Sequence, residues 1–201
     1  MTDADFADLI IGSDGLARPA WAATTDLLRD YYDTEWGMPV RTEQGLFERL
    51  CLESFQAGLS WELVLRKREG FRRAFAGFDP EKVAEFDEGD VEKLMANPEI
   101  IRNQRKIRAV LNNARATLTL RGRGGLSELI WSHQPAENLY PRTSAEVPSQ
   151  SPESLALSKA LKEAGFTFVG PTMIFALMEA VGMVDTHLLE SHRRGSSGVW
   201  A

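Results

Sequence analysis

Apolar residues recur along this chain at the 3.6-residue spacing of amphipathic helices, and no segment shows the strict alternation of a half-buried strand. Asp79, Pro80 and Glu81 combine a side-chain cap, a proline at the first helical position and an acid in the first turn, which predicts a helix running to Phe86. Ser151 and Pro152 repeat the device ahead of Leu157, Ala160, Leu161 and Ala164, which lie on one helical face, and Gly165 ends that helix. Ile174, Leu177, Met178 and Val181 carry the same stripe, with Gly182 where a terminating glycine belongs. Further helices are predicted over 25–32, 43–57, 60–75, 89–96, 104–120 and 126–131. The expected fold class is all-α. The longest non-helical connection, 134–150 with Pro135, Pro141 and Pro148, is the candidate crossover between two helical lobes.

A chain of 201 residues suits one domain, and 43% hydrophobic with 26% charged residues excludes the disordered and fibrous classes. No apolar run approaches the roughly 18 residues of a bilayer span, and Asp3, Asp5 and Asp8 make the start acidic where a signal peptide is basic. A cytoplasmic protein without a membrane partner is expected. Cys51 is the sole cysteine, which rules out an internal disulfide and a thiolate zinc site built from it alone, and the histidines are His133, His187 and His192. With 23 basic and 29 acidic residues the net charge is −6, which taken alone argues against a polyanion partner.

The distribution of charge changes that picture. Between Ile100 and Ser127 there is no acid, but Arg102, Arg105, Lys106, Arg108, Arg115, Arg121 and Arg123 are all present. Arg66, Lys67, Arg68, Arg72 and Arg73 form a second cluster with one acid, Glu69. These runs are either solvated helix faces or a surface that meets phosphates. The segment 154–182 bears on the choice. It is a helix, a loop Gly165-Phe166-Thr167-Phe168-Val169-Gly170, and a second helix opened by Pro171-Thr172. Gly170 allows close backbone approach, and the free N–H groups beginning the second helix suit an anion, although a plain helical hairpin has the same pattern. Two polyanion features in one chain make nucleic acid the leading partner.

Upstream, Glu53 stands on the edge of the apolar stripe of Leu46, Leu50 and Ala57, with Tyr31, Tyr32, Trp36 and Trp61 nearby in sequence. A surface glutamate beside an aromatic core is one reading. The other is a pocket for a flat cationic ring, held by cation–π attraction and a charge-assisted hydrogen bond.

Over about 18–191 the chain resembles the DNA-3-methyladenine glycosylase I family of the helix-hairpin-helix glycosylase superfamily. The resemblance rests on Tyr32-Asp33-Thr34-Glu35-Trp36-Gly37-Met38-Pro39, on Leu52-Glu53-Ser54-Phe55-Gln56-Ala57-Gly58-Leu59-Ser60-Trp61, on Ile100-Ile101-Arg102-Asn103 with Lys106-Ile107, on Asn113-Ala114-Arg115, and on Ser158-Lys159-Ala160-Leu161 running into the hairpin 165–172. It implies two helical lobes with a base pocket between them, and a monofunctional enzyme. Such an enzyme flips 3-methyladenine out of alkylated double-stranded DNA, hydrolyses its N-glycosidic bond, and leaves an abasic site and the free base. By matching positions, Glu53 binds the base edge, Tyr31 and Trp61 stack on it, and Trp21 and Trp36 wall the pocket. Gly58 and Leu59 probe the gap in the base stack. Gly165, Phe168, Gly170 and Thr172, with Arg102 and Lys106, hold phosphates.

Two departures stand out. The family's two-Cys, two-His structural zinc would fall on Pro19, Tyr32, His187 and Ser191, so no metal or other cofactor is expected and packing around Trp21 and Tyr32 should join the chain ends. Leu28 stands where the family has a second pocket tyrosine. Val184-Asp185-Thr186-His187 matches the context of the superfamily's catalytic acid, so Asp185 is a candidate electrostatic catalyst, with an N-cap of a terminal helix as the alternative. The expected layout is an acidic extension over 1–17, one glycosylase domain over 18–192, a tail over 193–201, and a monomer. A noncatalytic helix-hairpin-helix DNA-binding protein with a drifted pocket is the competing function.

Overall fold

The computed structural model describes residues 8–200. Its helices are α1 (Asp26–Thr34), α2 (Glu43–Gln56), α3 (Trp61–Ala74), α4 (Pro80–Ala84), α5 (Glu88–Ala96), α6 (Gln104–Leu120), α7 (Gly125–Trp131), α8 (Pro152–Glu163) and α9 (Pro171–Ala180). The all-α expectation holds, and most boundaries fall within two residues of those read from capping and periodicity. Asp79 accepts from Glu81 N, and Ser151 forms a reciprocal capping box with Ser154, as the two Ser/Asp-Pro signals require.

One element escaped the pattern. Leu9–Ile11 (β1) and Ala17–Pro19 (β2) pair antiparallel, with Ile10 opposite Arg18. Three-residue strands are too short to display alternation. Of the expected 1–17 extension, residues 1–7 lie outside the described residues, while the rest belongs to this hairpin. Its Arg18 is buried between Asp14 (2.8 Å) and Asp33 of α1 (2.6 Å).

Helix α2 packs against α3, α6, α7 and α9, and every residue from Leu46 to Phe55 is buried. A helix enclosed on all sides gives its polar residues no route to water. The main core spans α2 to α9, while a smaller cluster of Leu28, Tyr31 and Leu65 seats α1 on α3. The crossover 134–150 is irregular apart from one 3-10 turn, Ser144–Glu146. The last residues dock on the core instead of trailing: Trp200 Nε1 donates to Met183 O (3.1 Å) and Gly195 N to Asp185 Oδ2 (2.9 Å).

Candidate active site

A cavity of about 560 Å³ opens where the two ends of the chain meet α1, α2, α3 and α9. Its wall brings together the five expected base-binding residues: Glu53, Tyr31, Trp61, Trp21 and Trp36. Tyr31 and Trp61 lie 5.4 Å apart between ring centres, and Trp21 meets Trp36 edge-on at 5.6 Å. Leu28 is also on the wall, so that side offers aliphatic contact where the family pattern has a ring. Among the described residues no Lys or Arg lines the cavity.

Glu53 is 5% exposed, and no donor among the described residues reaches its carboxylate. Burial, reinforced by neighbouring Glu179, pushes it up to about 8. Arg49, one turn earlier, draws it back only partly, because that guanidinium is held by Glu35 and faces Glu48. The reading of Glu53 as a surface residue is thereby excluded. The Tyr31 hydroxyl, Trp61 Nε1 and His187 Nε2 are also buried without partners, and all three residues line the cavity. Unsatisfied buried polar atoms are rare in folded proteins, and several around one cavity mark a place built for a ligand.

Glu179 and Thr186 belong to the same wall and were not anticipated. The available signal was that Glu179 is the single charged residue of α9.

Asp185 requires a correction. Its Oδ1 accepts from His187 N (3.0 Å) and His187 Nδ1 (2.7 Å), and its Oδ2 accepts from Gly195 N. Burial raises this acid, but the His187 and Gly195 hydrogen bonds and Arg194 bring it below the usual carboxylate range. With both oxygens occupied and the residue absent from the cavity wall, Asp185 orients the imidazole of His187 and does not itself face the pocket. No helix follows it, so the capping alternative fails as well.

The DNA-facing expectations divide. Gly58, at φ +82°, turns the chain between α2 and α3 and leaves Leu59 40% exposed beside the cavity-lining Gln56 and Ser60. In the hairpin between α8 and α9, Gly165 has φ +92°, and Phe168, itself left-handed at φ +56°, is 38% exposed. Asn113 of α6 holds that shape by accepting from Thr167 N (2.8 Å) and donating to Thr167 O (3.0 Å). Gly170 precedes α9 with no side-chain cap, and a Cβ placed there would meet no protein atom, leaving the N–H groups open to an anion. Thr172 is exposed and accepts from Gln150 Nε2 (2.8 Å).

Lys106, expected to meet phosphate, is buried. Its Nζ donates to Phe55 O (2.9 Å) and Ala57 O (2.7 Å), capping the end of α2. The rest of the acid-free run is also largely engaged. Arg108 pairs with Glu88, Arg121 with Glu43 and Glu81, and Arg115 donates to Ala84 O and Phe86 O. Among the described residues Arg102, Arg105 and Arg123 have no acidic partner, and Arg105 lies 5.9 Å from the Phe168 ring centre. In the second basic cluster Arg66, Arg68, Arg72 and Arg73 are paired with Glu62, Glu35, Glu48, Glu69 and Glu99, while Lys67 donates to Pro98 O.

The four positions matching the family's zinc ligands do not fit zinc. Pro19 has no side-chain donor, and the Tyr32 hydroxyl is spent on Ser191 Oγ at 2.5 Å. His187 Nδ1 is spent on Asp185. No group of three or more His, Cys, Asp or Glu among the described residues could hold a metal. Trp21 packs edge-on to Tyr32 (5.4 Å), and His192 Nε2 reaches Asp33 (3.2 Å), so contacts of this kind join the ends.

An all-α fold with a helix-hairpin-helix and an acid-bearing aromatic cavity is that of the helix-hairpin-helix glycosylases. The family model described as methyladenine glycosylase matches residues 21–194, and the chain belongs to that family. It is 44% identical over 175 residues to DNA-3-methyladenine glycosylase of Haemophilus influenzae, covering 85% of this chain and 94% of the relative. Identity to DNA-3-methyladenine glycosylase 1 of Escherichia coli is also 44%, over 178 residues, covering 87% and 95%. A crystal structure of 3-methyladenine DNA glycosylase I superposes with a TM-score of 0.84 at 40% identity, covering 87% of this chain and 98% of the other. A variant of such an enzyme in complex with 3-methyladenine gives 0.82 at 33% identity, covering 87% and 96%.

The raised Glu53 predicts a pH-dependent cost. The folded protein holds this proton up to about pH 8 and the unfolded chain releases it near 4.5, so the group's contribution to stability falls between those values. Glu53→Gln has no proton to lose. Its stability relative to the parent, measured by urea unfolding, should rise by roughly 3 to 5 kcal/mol between pH 4.5 and pH 9. A difference that stays flat with pH would mean that the acid is hydrated.

Proposed function

We propose that the protein excises 3-methyladenine from alkylated double-stranded DNA by hydrolysing its N-glycosidic bond, leaving an abasic site. The observation that carries this reading is an aromatic-walled cavity holding a buried acid, with no donor to that acid and no Lys or Arg on the wall among the described residues. Once ionised, such an acid disfavours a neutral purine, which leaves its charge uncompensated, and favours a flat cation. Methylation at N3 gives the base in DNA a fixed positive charge. It also weakens the bond to the sugar: as that bond breaks, the bonding pair returns to the ring, which departs neutral. Water then adds its oxygen to the sugar cation and releases a proton. Because the leaving group is already activated, no acid is needed to protonate it.

Flipping the nucleotide costs a few kcal/mol, least for a poorly stacked lesion. Leu59 fills the vacated space, and the hairpin from Gly165 to Gly170, with Thr172, takes the phosphates, aided by Arg102 and Arg105. Tyr31 and Trp61 supply stacking surfaces, and Trp21 and Trp36 close the sides. Asp185 acts only through His187. The enzyme works as a monomer in the cytoplasm, without zinc. No helix among the described residues is long and apolar enough to cross a membrane. A noncatalytic DNA-binding module is disfavoured, because a scaffold gains nothing from a buried, unpartnered Glu53.

Glu53→Gln should lower release of 3-methyladenine from alkylated DNA by about 100-fold or more, measured by chromatography of the freed base, while binding to undamaged duplex stays within about threefold. In the parent enzyme kcat/KM should rise with pH up to about 8, since the substrate's charge is fixed and the acid must ionise to meet it. Retained release in Glu53→Gln contradicts the reading. Metal analysis of purified protein should find far less than one zinc per chain, and a chelator should leave Tm unchanged. Stoichiometric zinc would refute the packing-only closure.

A further inference from the structure

Glu179 sits in the last turn of α9, where the carbonyl end of a helix repels negative charge. It lines the same cavity as Glu53. Its one donor is the Thr186 hydroxyl, 2.7 Å from Oε1, and no donor among the described residues reaches Oε2. Burial pushes Glu179 up to about 7, and its proximity in turn raises Glu53. No cation stands within ion-pair distance of either acid among the described residues. Facing them are Arg49 of α2, held by Glu35, Tyr31 of α1, Glu62 of α3, which pairs with Arg66, and His187.

Burial, the helix end and neighbouring Glu53 therefore oppose a charge at this position, and only the Thr186 hydrogen bond favours one. A glutamine would fill the same volume, accept the same hydrogen bond from Thr186 and offer an amide toward Glu53. The fold gains little from the acid, because a half-buried carboxylate beside the buried Glu53 is costly unless a positive charge arrives. The cavity's own wall provides none.

We propose that Glu179 is a second specificity-determining carboxylate, which acts with Glu53 to reserve the cavity for purine rings carrying a fixed positive charge. This deepens the glycosylase reading and rests on it. One acid can accept hydrogen bonds from a base edge. A second acid adds no shape recognition but steepens discrimination by charge, since a neutral ring leaves two groups unmatched and a cation compensates both.

The test uses the full chain and two ligands of matched shape, 3,9-dimethyladeninium and its neutral isostere 3,9-dimethyl-3-deazaadenine. Their binding at pH 8.5 is followed by quenching of the cavity tryptophans. The parent protein should prefer the cation strongly. Glu179→Gln should reduce that preference about tenfold while changing affinity for the neutral ring less than about threefold. It should also melt at a higher temperature than the parent at pH 8.5, which shows an intact fold relieved of a charge. An unchanged preference in Glu179→Gln overturns the proposal alone when Glu53→Gln still abolishes it. Absence of any preference in the parent overturns both this proposal and the glycosylase reading.

Discussion

An acid buried in the wall of an open cavity, with no donor and no ion-pair partner among the described residues, is the constraint around which this structure is arranged. Glu53 is held there because α2 is enclosed on every side, so burial comes from the central position of the helix and not from any local motif. Lys106 strengthens the enclosure by tying the last carbonyls of α2, which fixes the height of Glu53 and the start of the turn that presents Leu59. The cavity's acid and the turn carrying Leu59 thus share one rigid support. Burial holds this acid protonated up to about pH 8, so charge develops there only as pH rises or a positive group arrives.

The cavity wall comes from both ends of the chain, and the closure of those ends matters accordingly. Tyr32 meets Ser191, Arg18 and His192 meet Asp33, and Asp185 locks His187. These contacts lie at positions where a metal clasp is implied by the family pattern. Hydrogen bonds, ion pairs and ring packing around Tyr32 hold the same parts together. The outer face is comparatively plain. Asn113 shapes the hairpin, Gly170 leaves an uncapped helix start, and few unpaired arginines remain nearby among the described residues, so this face offers an anion backbone N–H groups more than a broad basic surface.

Much of this was legible in the sequence, for identifiable reasons. Helix limits followed from Asp79, Ser151 and the glycines at 165 and 182, because caps and breakers act within a turn of where they stand. Glu53 and its aromatic neighbours could be grouped because they lie close along the chain. What failed depended on distant partners. The acid-free run looked like open positive surface, but Glu43, Glu81 and Glu88 fold onto Arg121 and Arg108 from other helices. Lys106 read as a phosphate contact because nothing local reveals two carbonyls some fifty positions earlier in the chain. Asp185 fitted a catalytic context in sequence, yet its neighbours His187 and Gly195 consume it. The short β hairpin lay below the length at which alternation is visible.

The cavity is predicted to hold Glu53 protonated at neutral pH and to give up that proton when a cation enters. Calorimetry of 3,9-dimethyladeninium binding at pH 6.5, in two buffers of different ionisation enthalpy, counts the protons exchanged. Release of about one proton or more for each ligand bound is the predicted result. Binding with no proton release would show that Glu53 is already ionised in the free protein and would contradict the account.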